Sequence, residues 1–352
     1  MEGIRTRPFA PFYPHPLLRD RHSMTIAGGK LPRPAGPFLD LSEDFWLPVD
    51  DHTSVRVETH WQRDHDAPVL VLVHGLSGSA RSPYLVSTAM KAFAMGWSVL
   101  RLNIRNCGGT ERATPTLYNA ALTDDLEALV AWVGEQHPHS PVAVAGFSLG
   151  GSITLHTLAK WGDAPPARVV GATVVSTPLN LVNTCRAMHT GVMNRFYMKL
   201  FLDGFVKALR NKAEQYPELY PYDAPKGYKD FYTFDEMWTA PHFGYEGAND
   251  YYNRASAFRV LHKVRIPTMV VHAEDDPLVP YNKLSLQAVE ANPALRLLMT
   301  SSGGHCAFFG AEPAETPHWR DRDRWWAENR VLEFSTGLLE ETGVPLPDLR
   351  AG

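Results

Sequence analysis

Cysteine is scarce in this chain. Only Cys107, Cys185 and Cys306 occur among 352 residues, and no two of them form a C-x-x-C pair. So small and odd a set excludes a disulfide framework, and a reducing, cytoplasmic setting is expected. Runs of about 18 or more apolar residues are missing as well, so no membrane-spanning helix is expected. No long block of like charge exists: 34 Lys and Arg against 38 Asp and Glu leave a net charge of −4. A nucleic-acid binder would show a basic face, so nucleic acid is not an expected partner. The chain also lacks H-E-x-x-H and P-loop patterns, and neither a metal nor an organic cofactor is expected. No apolar core follows Met1-Glu2-Gly3-Ile4-Arg5, so no signal peptide is expected. There is no internal repeat.

What is present reads as an α/β protein. Hydrophobic residues make up 44% of the chain, enough for a full core. The length suits one large α/β domain with an insertion, or two modest domains. Residues 1–44 read as an N-terminal arm. Pro8, Pro11, Pro14, Pro16, Pro32, Pro34 and Pro37 predict extended chain and turns there rather than helix. Phe9, Phe12, Tyr13, Leu17 and Leu18 predict that the arm packs on the domain. Phe45 to Val49 and Ser54 to Trp61 read as an opening antiparallel pair. Apolar strands then follow at Val69 to Val73, Trp97 to Leu102, Pro141 to Phe147, Val169 to Val175, Pro267 to His272 and Leu295 to Thr300. Helices are predicted at 83–95 and from Thr123 to Trp132, with Thr123 as N-cap. Apolar strands alternating with helices imply a mostly parallel sheet covered on both faces. The core is assigned to 45–177 and 263–345. Between them, 178–262 breaks the alternation. It carries a helical apolar period from Met188 to Leu209 and a dense aromatic run from Tyr216 to Tyr252, and reads as a cap over the sheet.

Gly146-Phe147-Ser148-Leu149-Gly150 carries the strongest chemical signal. It links the apolar run 141–145 to a helical stretch from Gly151 onward. The G-x-S-x-G pattern in a strand–turn–helix context is the nucleophile elbow of an α/β hydrolase. The serine sits in a strained turn, and Gly146 and Gly150 let the strand and helix backbones approach. A serine nucleophile needs a base, an acid that orients it, and N–H donors for an oxyanion. His305, in Ser301-Ser302-Gly303-Gly304-His305-Cys306, is the expected base. The acid is Asp275 or Asp276, in Glu274-Asp275-Asp276-Pro277-Leu278-Val279-Pro280. The D-x-x-V-P spacing favours Asp276, with Asp275 facing solvent or capping the loop. His272 and Glu274 read as structural. The donors are expected from the backbone of Leu149, directly after the serine, and of Leu76, in His74-Gly75-Leu76-Ser77-Gly78-Ser79. His74 reads as a prop of that loop, and Cys306 as a packing residue.

Together with Ser82-Pro83-Tyr84, Asn103-Ile104-Arg105-Asn106-Cys107-Gly108-Gly109, Asp275-Asp276-Pro277 and Gly303-Gly304-His305, these motifs resemble the YheT-like branch of the α/β hydrolases. That branch is related to the ABHD1, ABHD2 and ABHD3 group. The resemblance spans 74–305 and has two departures. Asn106 stands where the family loop has glycine, and asparagine is the next-best residue for a left-handed conformation. Ser23-Met24-Thr25 stands where the family has Gln-Thr. The resemblance implies carboxylic ester hydrolysis through an acyl-enzyme, on short- to medium-chain acyl esters, phospholipids or acylglycerols. It equally admits transfer of the acyl group to an alcohol. The expected partner is a small-molecule acyl ester or lipid; the sequence is silent on oligomeric state. Arg195, Lys199, Lys207 and Arg210 beside Phe201 and Phe205 leave peripheral membrane contact as a further expectation.

Overall fold

A computed structural model describes residues 3–33, 35–221 and 229–343. Pro34, the part of the aromatic run at 222–228 and the expected end of the core at 345 lie outside them.

The described elements, in chain order, are α1 (Arg21–Lys30), α2 (Gly36–Asp40), β1 (Glu43–Pro48), β2 (Ser54–His60), β3 (Val69–Val73), α3 (Pro83–Ala94), β4 (Ser98–Asn103), α4 (Asp124–Gln136), β5 (Val142–Phe147), α5 (Leu149–Trp161) and β6 (Val169–Val175). The helices α6 (Leu181–Met188), α7 (Val192–Gln215), α8 (Phe231–Phe234), α9 (Ala240–His242) and α10 (Ala248–Arg254) come next. The chain then returns to β7 (Thr268–Ala273), α11 (Lys283–Glu290), β8 (Leu295–Thr300) and α12 (Trp326–Thr342).

Eight strands form one sheet in the order β1-β2-β4-β3-β5-β6-β7-β8. β1 and β2 pair antiparallel, as do β2 and β4, and every later pairing is parallel. Strand β3 shows why these apolar runs become central strands. Its side chains alternate between faces with a period of two. Val69, Val71 and Val73 join one core with Leu129 and Val133 of α4 and Ile153 of α5. Leu70 and Leu72 join the other, with Leu85 and Ala89 of α3 and Val331 and Leu332 of α12. With both faces covered, every position of β3 is buried and apolar. Truncating a fully buried leucine such as Leu72 to alanine costs about 2–5 kcal/mol.

The strand order reverses between β3 and β5. At such a switch point the loops leaving the two strands diverge and open a crevice at their carboxyl ends. The loops after β3, β5, β7 and β8 all reach this edge.

The expectation of an arm without helix is wrong. Residues 17–31 contain no proline, and Asp20 caps α1 by accepting from the N–H groups of His22 and Ser23 at 3.0 Å each. Pro37 stands in the first turn of α2, where its missing N–H has no cost. The segment lies against the domain: Phe12 contacts the rings of Phe308 and Trp326, and Trp326 Nε1 donates to Ala10 O at 3.0 Å.

Two further expectations need correction. Thr123 stands at the start of α4, but its hydroxyl donates to Glu127 Oε2 at 2.7 Å instead of capping the backbone. The helix expected from Met188 breaks at Gly191 (φ 73°) and restarts as α7. Its apolar side chains are not all inside, since Val192, Phe196 and Leu200 face outward.

Candidate active site

Strand β5 delivers Ser148 into a turn with φ 52° and ψ −121°, a backbone region that non-glycine residues rarely adopt. Close approach of the neighbouring chain makes the turn this tight. A Cβ on Gly146 would lie 2.4 Å from Gly150 O, and one on Gly150 would lie 2.4 Å from both Val73 O and His74 O. The Ser148 N–H donates to Val175 O at 2.8 Å, anchoring the turn to the next strand. Leu149 begins α5, so the positive end of the helix dipole points at the serine.

His305 arrives from the loop after β8. Its Nε2 is 2.9 Å from Ser148 Oγ and its Nδ1 is 2.8 Å from Asp276 Oδ2. Asp276 is buried, and its Oδ1 accepts from the N–H groups of Leu278 and Val279 at 2.9 Å each. Burial alone would disfavour the His305 imidazolium. The Asp276 carboxylate and, after it, the neighbouring Cys306 side chain together more than offset this and hold the ring's pKa well above its ordinary value.

Asp275 does a different job. Its Oδ1 accepts from Gly304 N at 2.9 Å, and burial pushes its carboxyl up. Thr25 of α1 supplies a second anchor, its Oγ1 accepting from His305 N at 2.9 Å. The sequence pointed to Thr25 only as part of a departure from a family motif.

The loop after β3 closes the other side. Gly75 N donates to the Tyr84 hydroxyl at 3.0 Å and Ser77 N to the Tyr118 hydroxyl at 3.1 Å, fixing Leu76 between them. Leu76 and Leu149 line the same cavity as Ser148 and His305. His74 is fully buried; its ring bonds Gly75 O through Nδ1 at 2.7 Å and Ile104 N through Nε2 at 3.3 Å. Burial pushes it down to about 4, so it stays neutral. His272 is likewise buried, its Nε2 bonded to Val279 O at 3.0 Å, and Glu274 is exposed. Asn106 adopts the left-handed conformation expected of it, with φ 65°, and its Nδ2 donates to Thr116 O at 2.6 Å. Cys306 is buried.

The cavity has a volume of about 150 Å³. Part of its wall comes from the helices between β6 and β7: Met188, Phe201, Phe205, Leu209, Phe231 and Phe234 contribute apolar surface. Asp235, Thr239 and Tyr252 also line it, and sequence reasoning named none of the three as a site residue. Periodicity offered no signal, because Asp235–Thr239 is a π-helical turn that shifts the side-chain phase. Among the described residues no group of three or more His, Cys, Asp or Glu could hold a metal ion. No helix among them is long and apolar enough to cross a membrane.

Known proteins agree with this architecture. The model of the family described as alpha/beta hydrolase fold matches residues 68–312. YheT of Escherichia coli (strain K12), named as an esterase, is 29% identical over 92% of this chain and 88% of its own length. The monoacylglycerol lipase of Saccharomyces cerevisiae is 30% identical over 81% of this chain. The chain spans only 63% of that longer protein. Among solved structures, Est1E of Butyrivibrio proteoclasticus superposes with a TM-score of 0.53 at 14% identity, over 84% of this chain and 99% of its own, a likeness of fold alone. A mostly parallel sheet with its switch point beside β5, an elbow after that strand and a family model matching most of the sequence lead to one assignment: the chain belongs to the α/β hydrolase fold family, in its YheT-like branch.

Proposed function

We propose that this protein is a serine-dependent carboxylic ester hydrolase, with Ser148 as nucleophile, His305 as general base and Asp276 as the acid that orients it. The observation that carries the reading is the hydrogen-bonded line from Ser148 Oγ through both His305 nitrogens to Asp276, opening on an apolar cavity.

In this mechanism His305 Nε2 takes the Ser148 proton as Oγ attacks the ester carbonyl carbon. Asp276 keeps the proton on Nδ1 and stabilises the imidazolium that forms. The tetrahedral oxyanion accepts from the N–H groups of Leu76 and Leu149, each worth about 2.7–4 kcal/mol in the transition state. The intermediate collapses as imidazolium returns its proton to the leaving alkoxide, giving an acyl-Ser148 ester and free alcohol. Water, deprotonated by His305, then attacks the acyl carbon; the acid leaves and Ser148 is restored. Residues 178–262 act as the cap, and their Met and Phe side chains hold a short- to medium-chain acyl group.

The test is turnover of p-nitrophenyl esters from acetate to palmitate by the wild type and Ser148→Ala. Alanine keeps the Cβ that the turn already accommodates, so the variant folds. Wild-type turnover with an optimum chain length is expected, together with loss of activity and of fluorophosphonate labelling in Ser148→Ala. Retention of more than about one part in a hundred of the activity would refute the assignment, because removing a triad member costs several orders of magnitude.

A further inference from the structure

The lining of the cavity contains a group that the hydrolytic steps do not use. The chain between α8 and α9 winds into a π-helical turn, Asp235–Thr239. Such turns are rare and concentrate at functional sites. This one places Asp235 on the cavity that Ser148 and His305 also line. Thr239 Oγ1 donates to Asp235 Oδ1 at 2.5 Å, and the Tyr252 hydroxyl donates to Oδ2 at 2.6 Å. Among the described lining residues Asp235 is the only carboxylate, and none is lysine or arginine.

A carboxylate without a countercharge in an apolar pocket is unfavourable, and a hydrophobic residue there would stabilise the fold at least as well. Ionised carboxylate offers about four lone-pair sites. The two hydroxyls occupy one on each oxygen, so each oxygen can accept once more. We propose that Asp235, held in place by Thr239 and Tyr252, determines specificity by accepting a hydrogen bond from a hydroxyl group of the ester substrate. That hydroxyl belongs either to the alcohol part or to the acyl chain. The inference rests on the hydrolase reading of this cavity and narrows its substrate class. Burial pushes Asp235 up to about 6 in spite of both hydroxyl donors.

Three esters with the same acyl length separate the cases: ethyl octanoate, glyceryl monooctanoate, and the ethyl ester of a hydroxyl-terminated octanoate. The readout is the ratio of kcat/KM for each hydroxylated ester to that for ethyl octanoate, in wild type, Asp235→Asn and Asp235→Leu. We expect the wild type to favour one hydroxylated ester, and Asp235→Leu to lower that ratio by about tenfold to a hundredfold, the range for a hydrogen bond to a charged group. Asp235→Asn, which keeps one acceptor oxygen, should fall between. The ester whose ratio moves shows which part carries the hydroxyl. A parallel fall on all three esters means a structural role only and overturns the proposal. So do wild-type ratios near one, which need no variant to fold. Turnover that survives Ser148→Ala would instead refute the underlying hydrolase reading.

Discussion

Replacing Asp276 by asparagine changes one heavy atom and should nearly silence the site. Asp276 Oδ1 accepts two backbone N–H groups, from Leu278 and Val279. An amide NH₂ cannot accept, so in Asp276→Asn the carbonyl oxygen must keep that place. The NH₂ then faces His305 Nδ1. Nδ1 becomes an acceptor, and the ring proton moves to Nε2, pointing at Ser148 Oγ. The base now presents a proton where it must receive one. In serine proteases the corresponding change lowers kcat by about 10⁴-fold, which at about 1.36 kcal/mol per decade is roughly 5.4 kcal/mol. A loss of that size is expected here. Asp275→Asn should cost less than about tenfold, since its Oδ1 can still accept from Gly304 N. The pH profile carries a second, signed expectation. In the proposed mechanism only neutral His305 acts as the base, and the Asp276 carboxylate raises its pKa. Wild-type kcat/KM should therefore fall as pH drops through a value above the unperturbed histidine pKa of about 6.5. In Asp276→Asn the larger raising charge is gone while burial and the weaker Cys306 contribution remain, so the acid limb of the residual activity should move to lower pH. Steady-state kinetics of both variants on p-nitrophenyl butyrate across pH decide the matter. Equal losses in the two variants, or an acid limb that does not move in Asp276→Asn, would refute the reasoning.

Thr25→Val removes the acceptor for His305 N and should lower kcat about tenfold with little change in KM, while Thr25→Ser restores it; a uniform fall in stability without a kcat effect would show that α1 merely packs. Gly150→Ala puts a methyl group 2.4 Å from two backbone carbonyl oxygens that cannot move aside. A loss of about 3 kcal/mol or more in thermal or denaturant unfolding is expected, and an unchanged midpoint would mean that the elbow is looser than the geometry requires.

Much of this architecture was legible in the residue order. Runs such as Val69 to Val73 are apolar at every position only because both faces of a parallel strand are covered. Glycines at 146 and 150 mark a strand and a helix that meet too closely for any Cβ. The N-terminal helices were not legible. Prolines dominate the average of that segment, while the proline-free stretch behind the Asp20 cap decides its conformation. Nor was the outward face of α7. Val192, Phe196 and Leu200 are as apolar as Phe201 and Phe205, and only their angular position on the helix separates them.

The sequence by itself therefore determined the α/β class and the chain order of the chemical groups: elbow serine, acidic loop, histidine loop. Such features depend on local sterics and on burial, which a short window of residues encodes. Only the tertiary structure decided which of two adjacent aspartates meets His305, that α1 anchors the histidine loop, and that Asp235 faces the cavity. Those are contacts between segments far apart in the chain, Ser148 and His305 being 157 residues apart. Their distances follow from the strand order of the sheet and from helix phase, neither of which is a local property of the residues that meet.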